Sequence, residues 1–158
     1  MAEVRRATPE DVPAMVAMGR ALHDESPRYR DMPFNERKLV DLAARLRGTL
    51  LSEDAAMFVA TAGDALVGMA VVVTQPRFFN DERFLTDLTV YVKPEHRGGR
   101  AFLRLVNAWE AWAVQQGVLD LAIGVSTEIN AQATVCAYER LGYRLAGYTM
   151  VKSLRHGH

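Results

Sequence analysis

Four consecutive residues, Arg97-Gly98-Gly99-Arg100, carry the clearest chemistry in the chain. They follow residues 84–92 (F-L-T-D-L-T-V-Y-V), whose β-branched and aromatic side chains predict a strand. They precede Phe102, Leu105, Val106, Trp109 and Ala113, whose three- and four-residue spacing predicts one apolar helix face ending near Gly117. A helix start offers four backbone N–H groups without helical partners, and the aligned peptide dipoles add partial positive charge there. Glycines at 98 and 99 let a phosphate approach those amides, and Arg97 and Arg100 can add charge-assisted hydrogen bonds. Strand, basic glycine turn and helix together suit a pyrophosphate. The same four residues are equally compatible with a solvated surface turn, because short motifs also match by chance.

Period and punctuation divide the rest of the chain into elements. Residues 3–7 read as a short strand, and Thr8-Pro9-Glu10-Asp11 supplies a helix start: Thr8 as cap, Pro9 at the first helical position, Asp11 reaching back. Val12, Met15, Val16, Gly19 and Leu22 give that helix one buried face. Residues 23–33 (H-D-E-S-P-R-Y-R-D-M-P) are dense enough in hydrogen-bonding groups to line a pocket, and also read as a solvated loop. Asn35 caps a second helix with the stripe Leu39, Leu42, Ala43, Leu46 and Leu50. Residues 56–62 and 66–74 flank Gly63-Asp64, which predicts a hairpin. Residues 76–81 break the pattern and place Phe78 and Phe79 in a loop, either facing a substrate or subunit or packed beneath it.

Residues 119–125 (L-D-L-A-I-G-V) predict another strand, and Asn130 caps a helix over 131–141 that Gly142 ends. Residues 143–146 and 148–152 read as two last short strands around Gly147. The order predicts a mixed α/β fold, a mostly antiparallel sheet of about seven strands flanked by about four helices, with helix-connected strands lying parallel.

Composition narrows the function. At 158 residues and 49% hydrophobic, the chain suffices for one good core, so a single domain over residues 1–158 is expected. Zero formal net charge provides no basic field for a nucleic-acid backbone. Cys136, the single cysteine, cannot form an internal disulfide and reads as a small buried hydrophobe. No apolar run approaches the ~20 residues of a bilayer crossing, and the first six residues lack a signal peptide's apolar stretch. A cytoplasmic protein without membrane or nucleic-acid partners is expected. His156-Gly157-His158 reads as a frayed terminus, and no metal is expected.

Two stretches together resemble the GNAT superfamily of acyl-CoA-dependent N-acyltransferases over essentially the whole chain. Residues 90–103 (V-Y-V-K-P-E-H-R-G-G-R-A-F-L) are similar to the family's strand, Pro-Glu, Arg-Gly and helix segment that holds the CoA pyrophosphate. Asn130-x-x-Ala133-x-x-x-x-Tyr138-Glu139-Arg140-Leu141-Gly142-Tyr143 is similar to the family's Asn-x-x-Ala followed by Tyr-Glu-x-Leu-Gly-Phe/Tyr. One departure stands out: where the family usually has Arg-Gly-x-Gly-x-Gly-x-Ala, this chain has the shorter Arg97-Gly98-Gly99-Arg100-Ala101, with Arg100 available to compensate electrostatically. The resemblance implies acetyl-CoA as co-substrate, held by Val90, Tyr91, Val92, Arg97, Gly98, Gly99, Arg100, Ala101, Phe102, Asn130, Ala133 and Tyr138. It implies an amine acceptor, small molecule or peptide, and a homodimer by family habit. A non-catalytic acyl-CoA-binding module, a sensor or scaffold, is the alternative.

The implied reaction sets the size of the catalytic problem. An aliphatic amine of pKa near 10.4 must lose a proton, which costs roughly 4–5 kcal/mol at pH 7, whereas the departing thiolate needs only about 2 kcal/mol of help. A carboxylate base is therefore expected. Asp87, on the strand leading to the glycine turn, is the first candidate, with Glu25 and His23 behind it. Tyr138 matches the family tyrosine near the thioester sulfur, and backbone N–H groups among Val90–Val92 match the family's oxyanion donors.

Overall fold

The computed structural model describes residues 2–47 and 54–155. Its five strands lie in sequence order in one sheet: β1 (Ala2–Arg6), β2 (Ala55–Ala62), β3 (Ala65–Pro76), β4 (Arg83–Val92) and β5 (Leu121–Ala122). The first four pair antiparallel, and β4 pairs with β5 in parallel. Helices α1 (Val12–Glu25) and α2 (Glu36–Arg47) come between β1 and β2 in the chain, and α3 (Ala101–Gln115) and α4 (Ala131–Arg140) flank β5.

Strand alternation sorts the side chains onto two faces. Phe58 of β2, Ala70 and Val72 of β3 and Leu85 of β4 join Leu105, Trp109 and Trp112 of α3. Met57 and Val59, Met69 and Val71, and Tyr91 join Met15 and Met18 of α1 and Leu46 of α2. Complete burial of Leu85 and Leu105 contributes about 1.5–3 kcal/mol each. At Gly68 the sheet meets α3 most tightly: a Cβ there would lie 3.0 Å from Tyr91 O and 3.4 Å from Leu105 Cδ1, so no other residue fits without movement.

Local chemistry accounts for several element ends. Asp11 reaches back to accept the Thr8 N–H at 2.7 Å, and Asn35 Oδ1 caps α2 by accepting the Lys38 N–H at 3.1 Å. The Gly63-Asp64 hairpin forms as expected between β2 and β3. Of the α2 stripe, Leu39, Leu42, Ala43 and Leu46 turn inward, and Leu50 lies outside the described residues.

Three expectations need correction. The strand over 119–125 shrinks to two residues, Leu121–Ala122, because its pairing with β4 stops at Thr86, next to the irregularity in β4. Residues 143–146 and 148–152 form no strands: the Tyr143 hydroxyl is anchored between Trp109 Nε1–H and Glu110, each at 3.1 Å, and beyond it Tyr148 and Met150 are about nine-tenths exposed. The described sheet therefore has five strands instead of seven, while the class, mixed and mostly antiparallel α/β, is as expected. Phe78 and Phe79 touch edge to face at 4.9 Å but stay exposed and do not pack beneath their loop.

Candidate active site

The register of β4 against β3 slips once. Val71 pairs with Thr89 and Val72 with Asp87, which leaves Leu88 as an extra residue, a β-bulge. The extra residue reverses the alternation: Leu85 and Asp87 lie on the α3 side, Thr89 and Tyr91 on the α1 side. Pairing with β5 ends just before the bulge, at Leu85 and Thr86. Gly124 N then donates to the Asp87 side chain, at 2.8 Å to Oδ1, instead of to a strand carbonyl. Beyond Leu88, β4 has no second strand partner among the described residues, which leaves an open edge. Because Lys93 N donates toward β3, to Val67 O at 2.8 Å, alternation turns the N–H groups of Val92 and Val90 toward that edge and the N–H of Tyr91 toward β3.

The basic turn stands at the end of this open edge. After one 3-10 turn, Pro94–His96, the chain reverses at Gly98, whose φ of +82° is one that side chains rarely allow, and enters α3. The Arg104 N–H bonds Arg100 O at 3.0 Å, while the amides of Gly99 to Leu103 ahead of it have no backbone acceptor among the described residues. Arg100 is exposed beside them.

The Arg97 guanidinium is engaged within the protein. Its Nε donates to Val92 O at 2.8 Å, both its terminal nitrogens donate to Glu25, at 2.7 Å for Nη2 to Oε2, and it covers the Tyr91 ring at 5.4 Å. This fork ties the end of α1 to the end of β4 and holds the Glu25 carboxyl below its ordinary pKa. Glu25 is therefore a poor proton acceptor at neutral pH. The neighbouring residues extend the tie: Ser26 Oγ donates to Thr127 O at 2.6 Å and Arg28 to Ser126 O at 3.0 Å. Residues 25–28 thus join the end of β4 to the segment after β5, where the two strands have parted. His23 is also engaged, with Nδ1 beside Asp24 and Nε2 at 2.7 Å from Met32 O.

Asp87 has the opposite character to Glu25. Burial raises its pKa against the lowering effect of the Gly124 N–H, so it binds a proton more readily than a surface carboxylate. Tyr138, 6% exposed, packs against Phe102 at 5.0 Å and Tyr143 at 5.2 Å, both edge to face. Burial and then the nearby charge of Asp87 push the Tyr138 hydroxyl far up, which keeps it protonated. That hydroxyl has no hydrogen-bond partner among the described residues. Asn130 stands at the head of α4 as expected, but at φ 46° its side chain makes no capping bond; its carbonyl instead accepts from Thr134 N and Oγ1 at 3.1 and 3.2 Å. Ala133 is exposed on the first turn of the same helix. Glu128 also holds a positive φ, 61°, a conformation that costs of order 1–3 kcal/mol in a residue with a side chain.

A family model described as the acetyltransferase (GNAT) family matches residues 19–143, a span holding the bulge, the turn and Tyr138. The chain belongs to the GNAT acetyltransferase family. Comparison with curated protein sequences finds no match. Among solved structures, this GNAT chain is similar to a transcriptional regulator from Bacillus halodurans, at 20% identity and TM-score 0.77, over 98% of this chain and 100% of that one. It is similar to a glucosamine-6-phosphate N-acetyltransferase from Arabidopsis thaliana, at 14% identity and TM-score 0.75, over 98% and 99%. A predicted acetyltransferase from Clostridium acetobutylicum, solved with acetyl-CoA, matches at 16% identity and TM-score 0.72, over 99% and 100%. At these identities the likeness establishes the GNAT fold.

Among the described residues no helix is long and apolar enough to cross a membrane, and no cluster of three His, Cys, Asp or Glu is placed to hold a metal. Cys136 is half-buried and receives a weak bond from Gln132 Nε2 at 3.6 Å. Sequence reasoning missed Thr89, whose buried Oγ1 has no partner among the described residues, and the bulge beside it. A signal for the bulge was present: the apolar positions of one sheet face run Leu85, then Val90 and Val92, and this change of parity requires one extra residue between them.

Proposed function

We propose that this chain, as one domain, transfers an acetyl group from acetyl-CoA to an amine by direct attack in a ternary complex. The observation that carries the reading is the parting of β4 from β5 at Asp87, with Tyr138 beside it and unpartnered amides at the head of α3 beyond. These residues fit a CoA thioester. The amides of Gly99 to Leu103, with Arg100, would hold the phosphates, while Arg97 would act indirectly by fixing the end of β4. Acetyl-CoA supplies the activated acetyl thioester. Asp87, with its raised proton affinity, would take a proton from the attacking amine directly or through water. The N–H groups of Val90 and Val92 would bind the oxygen on which negative charge develops. Tyr138, held protonated, would donate to the departing sulfur.

The first experiment is the melting temperature with saturating acetyl-CoA and with adenosine 3′,5′-bisphosphate. At about a hundred times its dissociation constant a ligand adds roughly 2.7 kcal/mol of stability, a rise of several degrees. A rise with both, followed by turnover in an amine screen, supports the reading. No rise with either at millimolar ligand removes it, and a rise without turnover leaves a non-catalytic acyl-CoA-binding module.

A further inference from the structure

The α1 face of the sheet holds a cavity of about 310 Å³, roofed by α1 and α2 and floored by β2, β3 and β4. Met15, Met57 and Met69 contribute much of its wall, and Leu88 and Thr89, the bulge and its neighbour, close the β4 end. Among the described residues the lining holds no Asp, Glu, Lys or Arg; its titratable side chains are His23, whose two nitrogens are engaged with Asp24 and Met32 O, and Tyr29. Thr89 Oγ1 differs from the polar atoms of His23 and Tyr29 in being buried and without a partner among the described residues. A buried hydroxyl left unpaired is expensive, and such groups call for an explanation.

We infer that this cavity is the acceptor subsite, and that the acceptor is a small primary amine carried on a single apolar body, an aryl- or alkylamine, with its nitrogen at the Thr89 hydroxyl. The inference rests on the transfer reading for its chemistry but on the cavity alone for its choice of ligand. A polycationic or polyhydroxylated amine would lose its hydration here and find almost nothing to replace it. An apolar body instead meets thioether and branched aliphatic groups, and methionines adjust to rings or chains of differing shape. The bulge supplies the link to the reaction. Thr89 faces the cavity while Asp87, two residues earlier, faces the α3 side, so an amine seated from one face lies beside the gap through which the strand's other face is reached.

Isothermal calorimetry with 2-phenylethylamine and with spermidine, each with and without CoA, tests the inference on the intact chain. The expected result is at least 10-fold tighter binding of 2-phenylethylamine. Ala43→Phe, which fills the cavity from α2, should weaken that binding 10-fold or more while leaving the acetyl-CoA-induced rise in melting temperature in place. Thr89→Val provides a variant whose folding is safe, because it deletes only an unpartnered hydroxyl. It should keep or raise the melting temperature yet weaken 2-phenylethylamine about 5-fold or more. Equal or tighter binding of spermidine, or unchanged amine affinity in both variants, overturns the inference. Amine binding without any response to acetyl-CoA would uphold the choice of ligand for the cavity and remove the transfer reading, and with it the acceptor role.

Discussion

The two faces of the sheet are built from different materials. Against α3 and α4 the packing is aromatic and close: Phe102, Trp109 and Tyr143 each meet the Tyr138 ring, and Trp112 joins them in one cluster with the fully buried Leu85 and Leu105. Against α1 and α2 the sheet presents Met57 and Met69 to Met15 and Met18, around a cavity. Rings with two torsions hold one arrangement, whereas thioether chains accept several. The first face is built to hold one arrangement, and the second to accommodate several.

The largest effect should come from breaking the dense face. Trp109→Ala is expected to cost about 3–5 kcal/mol in urea unfolding, and Met57→Ala, at the wall of an existing cavity, about 2 kcal/mol. Equal losses would erase the contrast between the faces. Next, Tyr138→Phe keeps the ring contacts and removes only the hydroxyl, so kcat with any accepted amine should fall about 100-fold or more while the melting temperature hardly moves. A large fall in melting temperature would instead make the hydroxyl structural.

The faces should also respond oppositely to pH. Asp87 binds its proton more tightly folded than unfolded, so its stabilising contribution is complete below the ordinary value of 3.8 and is lost as pH rises through its raised folded pKa. Asp87→Asn should therefore melt higher than the parent at pH 7 and lose that advantage toward pH 3, while turnover falls. Asp11, beneath the start of α1, behaves in the reverse sense. The Arg5 guanidinium, followed by the Thr8 bonds, lowers it to about 2, so its contribution is full above 3.8 and is lost as pH falls toward about 2. The smallest effect expected is a melting-temperature loss in Asp11→Asn at pH 6 that narrows by pH 2.5, since Arg5 is half exposed.

What could be read from the chain was what neighbours in sequence decide. The hairpin at Gly63-Asp64, the Asn35 cap and the reach of Asp11 back to Thr8 depend on residues within a few positions, and each is where the spacing puts it. The Arg97–Glu25 fork joins residues 72 apart, and the Ser26–Thr127 bond residues 101 apart. Nothing in either local pattern marks them, so Arg97 read as a phosphate ligand and Glu25 as a spare base. Asn130 occupied its expected position with an unexpected backbone, because a cap motif does not reveal φ. The last two strands failed for a different reason: residues 143–152 have strand composition, but β5, two residues long, is too short to be their template.

The bulge at Leu88 gives this domain an unusual profile of mutational tolerance. A substitution at 88 changes one side chain, whereas a deletion shifts the phase of half a strand. Without that residue, the pairing that keeps Thr89 and Tyr91 on the α1 face would rotate Leu85 out of the aromatic core and carry Asp87 with it, away from Gly124 and Tyr138. Length, at this one position, is under tighter physical constraint than identity, and lineages of this domain should vary the identity of residue 88 long before they vary its presence.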